Sequence, residues 1–134
     1  MYTWHAWIQL YDDERDRPAP YEQDALAAVR AKARELELRT SPDDPISCTN
    51  GGPLFQASGA HDHRGSAHQR LHTLLRFTLD VLPGSWGLVY WRDDETPGTD
   101  AYDGYRVLVL ARGAIADRLD PFLSPLTVPE NPHP

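Results

Sequence analysis

The chain has 134 residues, enough for one domain with its own core, and 40% of them are hydrophobic. Twenty Asp and Glu against thirteen Lys and Arg give a formal net charge of −7, which argues against a basic nucleic-acid-binding face and favours basic protein partners. The single cysteine, Cys48, excludes an internal disulfide and a Cys-built zinc cluster, and no apolar run suits a signal peptide or a membrane span, so a cytoplasmic protein is expected.

Residues 2–11 alternate as a strand, with Trp4, Ala6, Ile8 and Leu10 on one face and His5, Trp7, Gln9 and Tyr11 on the other. The charged run 12–17, closed by Pro18 and Pro20, reads as a loop. Over 21–38 the spacing turns helical: Leu26, Val29, Ala33 and Leu36 form a stripe, and Glu22 and Asp24 complement the dipole of the first turn. After the break Ser41-Pro42-Asp43-Asp44-Pro45, short strands at 46–50 and 54–58 flank Gly51-Gly52 as a hairpin, followed by a loop over 59–65.

Ser66 and Gln69 have capping-box spacing and open a second helix, with Leu71, Leu74, Leu75, Thr78, Val81 and Leu82 as its buried stripe and Pro83-Gly84 as its stop. Strands follow at 85–91 and 105–112, separated by a loop rich in Gly and acid. Beyond Gly113 the chain reads as irregular, with Phe122 and Leu123 packing on the body and 129–134 disordered. One domain over 1–128 is expected. The order predicts an α+β fold, a ferredoxin-like β-α-β-β-α-β sheet with an extra C-terminal strand and two helices on one face. The other face would be apolar, either open to a protein partner or a homodimer or covered by the C-terminal tail.

Catalytic signatures are weak. His61-Asp62-His63 could join His68 or His72 in a metal or acid–base cluster, but HExxH and facial-triad spacings are absent. The carboxylates Asp93, Asp94, Glu95, Asp100 and Asp103 do not follow a calcium-loop spacing. Gly84-Ser85-Trp86-Gly87 lies between a helix and a strand, the reverse of a nucleophile elbow or phosphate loop. No catalytic residue, metal or cofactor is assigned. Strand parity separates Trp7 from Trp4 and Trp91 from Trp86, and we place Trp7 and Trp91 outward as interface anchors.

Several stretches in order then carry a resemblance. They are His5-Ala6-Trp7-Ile8, Ser58-Gly59-Ala60-His61-Asp62-His63-Arg64, and Pro83-Gly84-Ser85-Trp86-Gly87-Leu88-Val89-Tyr90-Trp91-Arg92-Asp93-Asp94-Glu95. Residues 106–110, Ala111-Arg112-Gly113 and Asp120-Pro121-Phe122-Leu123-Ser124-Pro125 complete them. Together they resemble immunity protein family seven of bacterial polymorphic toxin systems. The resemblance implies a non-enzymatic α+β protein that binds and neutralises a cognate secreted toxin domain, commonly a nuclease-like effector. The toxin-binding candidates are Trp7, His61, His63, Trp91, Arg92, Asp93, Asp94, Glu95, Asp100 and Asp103. The rival readings are a regulatory or ligand-binding α+β module without a toxin partner, and a metal-dependent enzyme using His61 and His63.

Overall fold

A computed structural model describes residues 1–12, 19–49 and 51–126. The first strand, β1 (Tyr2–Gln9), buries Tyr2, Trp4, Ala6 and Ile8 and turns His5 and Trp7 outward, as the alternation requires. It is followed by α1 (Ala19–Glu35), β2 (Ile46–Thr49), β3 (Gly52–His61), α2 (Ala67–Val81), β4 (Trp86–Asp93), the single turn α3 (Asp100–Asp103), β5 (Arg106–Ala111) and β6 (Ala114–Leu119). The six strands form one sheet in the order β2-β3-β1-β4-β5-β6, and every neighbouring pair is antiparallel.

The fold class is therefore α+β. Leu26, Val29 and Ala33 of α1 and Leu71, Leu74, Leu75 and Leu79 of α2 share one buried cluster with Trp4, Ile8, Phe55, Val89 and Leu108 of the sheet. Both helices thus cover the same sheet face, each through a stripe at three- and four-residue spacing. Arg70 of α2 donates from its Nη1 to the carbonyls of Leu36 (2.7 Å) and Glu37 (3.1 Å), satisfying acceptors left open where α1 ends.

Several expectations need correction. The segment after Gly113 is a strand, not irregular chain: Arg112 and Gly113 both have positive φ (54° and 74°), and Ala111 pairs with Ala114 across them. That is a two-residue hairpin turn of the mirror-image kind, written here with Arg-Gly in place of the familiar Asn-Gly. β3 runs on to His61, taking Gly59 and Ala60 out of the expected loop. Ser66 makes no cap; its backbone is helical, its Oγ accepts from Arg70 Nε (3.2 Å), and Ala67 N–H bonds to Arg64. Residues 13–18, on which most of the expected charged loop falls, Asn50, the side chain of Glu22 and residues from 127 onward lie outside the described residues.

None of the described helices is long and apolar enough to cross a membrane. On the uncovered sheet face Trp7 (41% exposed) and Trp86 (47% exposed) stack edge to face, with ring centres 5.3 Å apart.

Candidate functional site

β1 pairs with β4 so that Tyr2 lies opposite Asp93 and Gln9 opposite Trp86. The start of β1, the ends of β3 and β4, the start of β5 and the end of β6 therefore meet at one end of the sheet. All the nominated residues gather there except Trp7. Its cross-strand partner Leu88 is six residues from Asp94, roughly 20 Å along a strand.

Strand parity sorts the residues of β4 up to its end at Asp93. Trp91 sits opposite Trp4 in a core row and is 3% exposed, so it is no surface anchor; Trp86, opposite Gln9, is the exposed tryptophan of β4. Asp93 has the same parity as Trp91 and is also buried, at 2% exposed. Its Oδ1 accepts the backbone N–H of Glu95 (3.0 Å), an Asx turn that ends the strand, and its Oδ2 lies 4.0 Å from Arg64. It shapes the site from inside and cannot serve as a surface contact.

Asp94 and Glu95 turn outward. Asp94 accepts from the Met1 amine, and this hydrogen bond holds its carboxyl below the usual range. Glu95 accepts from Nδ1 of His63 (2.6 Å), which lowers its pKa in the same way. Arg92 reaches from β4 to the carbonyl of Tyr102 (2.9 Å) and pins α3 against the sheet end. Asp100 is bound to Arg106 (3.2 Å), which also holds Asp117 (3.0 Å). Asp103 is exposed and makes no ion pair among the described residues.

The histidines separate as well. His61 faces the core side and accepts from Trp4 Nε1 (3.4 Å), and burial lowers its pKa; His63 stands on the exposed loop against Glu95. Among the described residues no three His, Cys, Asp or Glu side chains converge as metal ligands. Behind this loop Tyr2 and His68 share a hydrogen bond (2.6 Å), His68 and Trp91 stack with centres 4.4 Å apart, and the Arg64 guanidinium lies 4.9 Å over the Trp91 ring. This layer supports the sheet end. Ser85 is fully buried and its Oγ accepts the Tyr11 N–H (3.1 Å), a structural role.

Residues 120–126 complete the same end. Asp120 N–H donates to the Tyr105 carbonyl (3.0 Å), and Tyr105 N–H donates to Leu123 (3.0 Å). This docks the segment through its backbone and through Asp120 and Ser124. Phe122 and Leu123, expected to pack on the body, instead stand out at 86% and 46% exposed. Sequence reading missed them as surface groups, and missed Arg64, Arg106 and Asp120, because each acts through a partner distant in the chain. A cleft between α1 and residues 39–45 sets Arg30, Arg34 and Arg39 against Glu37, Asp43 and Asp44, with Arg30 tied to Asp44 at 2.9 Å. Its charges balance within the cleft.

The sheet end of this α+β chain thus bears outward acids and apolar side chains on a base of internal ion pairs. The model of the family Immunity protein 7 matches residues 1–130, and the chain belongs to that family. No curated protein and no solved structure matches it.

Proposed function

We propose that this chain is a stoichiometric inhibitor: it binds one cognate toxin domain through the acidic sheet end and neutralises it by covering the toxin's active site, without catalysis of its own. Family membership supports an immunity function. The observation that carries the location is the outward set Asp94, Glu95, Asp103 and Phe122, held at one sheet end by Arg92, Arg106 and Asp120. A chain of net charge −7 attracts a basic toxin surface at long range, and the fixed groups then set its register. On this reading the complex forms in the cytoplasm, the compartment expected for the chain.

The test is co-expression with the toxin domain encoded directly upstream, scored by survival and by co-purification. Survival with a stable complex is the expected result. Death of cells that contain abundant folded immunity chain would overturn the proposal.

A further inference from the structure

We propose that residues 120–126 form a preorganised anchor that inserts Phe122 into an apolar pocket of the toxin, while Asp103 pairs with a Lys or Arg at the pocket rim. This rests on the immunity reading above and names the contact element within it.

Three observations support the anchor. First, apolar side chains are displayed together: Phe122 is 86% exposed, Leu123 46% and Leu126 37%. A phenylalanine left almost wholly in water gains nothing for the fold and presents its full area to a partner.

Second, the backbone beneath it is fixed. The Asp120 carboxylate, in a residue only 2% exposed, accepts the Leu123 N–H (2.7 Å). Ser124 Oγ donates to the Tyr105 carbonyl (2.7 Å), and Leu126 N–H donates to the Asp103 carbonyl. A Cβ on Gly104 would come within 2.5 Å of Ser124 Oγ and 2.6 Å of the Leu123 carbonyl oxygen, so a glycine lets the segment seat this closely. Binding through such a segment requires little further ordering, which is the advantage of preorganisation.

Third, the adjoining charge is uncommitted. Asp100 and Asp117 share Arg106, whereas Asp103, whose carbonyl holds Leu126, makes no ion pair among the described residues. An apolar anchor beside a free carboxylate matches a partner that presents a pocket edged by basic side chains. The chain's own net charge of −7 opposes a second copy in that place.

Titration of the toxin domain encoded directly upstream with the parent chain, Phe122→Ser and Asp103→Asn tests this. Phe122→Ser should keep the parent's unfolding midpoint and bind at least about 10-fold more weakly, chiefly through faster dissociation. Asp103→Asn should bind more weakly at low salt, with the difference shrinking as salt is raised. Undiminished binding by Phe122→Ser overturns the anchor and leaves the immunity reading standing. A parent chain that fails to bind overturns both. If the parent sediments as a dimer that Phe122→Ser splits, the occupant is a second copy and the toxin pocket is overturned.

Discussion

Tyr2 Oη and His68 Nδ1 lie 2.6 Å apart, joining the first residue of β1 to the first turn of α2. Tyr2 is fully buried and burial pushes its pKa up, while burial, followed by the nearby Arg64 guanidinium, pushes His68 down to about 4. Of the groups facing His68, Arg64 and His72 disfavour its protonation, and the more weakly acting Asp117 and Asp93 favour it.

A pH dependence follows. The unfolded chain protonates this imidazole near pH 6.5, the folded chain near 4, so between those values the unfolded state binds more protons and stability falls as pH falls. His61, also lowered by burial, acts in the same direction. His68 is partly solvated, so after discounting for screening the loss is on the order of 1–2 kcal/mol. Urea midpoints should be level between about pH 7 and 8 and drop between pH 6.5 and 4. A level profile through that interval would contradict this assignment.

Gly87 permits the β1–β4 contact. An added Cβ would stand 2.1 Å from the Trp7 carbonyl oxygen and 2.6 Å from Ile8 Cα, both backbone atoms of the central strand. Gly87→Ala should cost about 3 kcal/mol or more, and Gly59→Ala, directed at the buried Trp4 indole at 2.2 Å, a similar amount. Thermal unfolding of the two variants measures this; parent-like midpoints would refute the packing argument.

The carboxylates should divide by burial. Reversing Asp94, Glu95 and Asp103 to Lys should slow association with the toxin by about 10-fold at low salt, with the effect fading as salt rises. Asp80→Lys, an exposed change near the far end of α2, should slow association much less, through net charge alone. Asp93→Lys should instead unfold the protein, because it places an ammonium in a buried site beside Arg64. Stopped-flow association and circular dichroism separate these outcomes.

Asp120→Ala should leave the Leu123 N–H without its acceptor and cost roughly 1–3 kcal/mol, while Asp120→Asn, which keeps an acceptor oxygen, should cost less. Chemical unfolding of both variants checks the order; equal stability with the parent would show that the carboxylate does not hold the segment.

Period-two and helical patterns made β1, α2 and the core stripe Leu71, Leu74 and Leu75 legible in the sequence, because burial dictates those residues directly. Tryptophan orientation in β4 was not legible. Apolar side chains occur at both parities, so the pairing of Trp91 with Trp4 had to come from the register with β1. β6 escaped notice because Arg112-Gly113 is an unusual hairpin turn and Ala-Ile-Ala-Asp-Arg-Leu alternates weakly. The acidic end was visible as composition, but its division into a buried turn-former, Asp93, and outward Asp94 and Glu95 depends on contacts with Arg64, Met1 and His63. Residues 120–125 gave no signal that Phe122 would face water, since apolar side chains normally pack.

The most direct measurement of the central claim is amide hydrogen exchange on the chain alone and in complex with the toxin domain encoded directly upstream. Binding through the acidic sheet end predicts new protection at residues 93–105 and 120–126, with little change around Trp7 and Trp86. Protection confined to the Trp7–Trp86 end, or none in a mixture that nevertheless co-purifies, would contradict it.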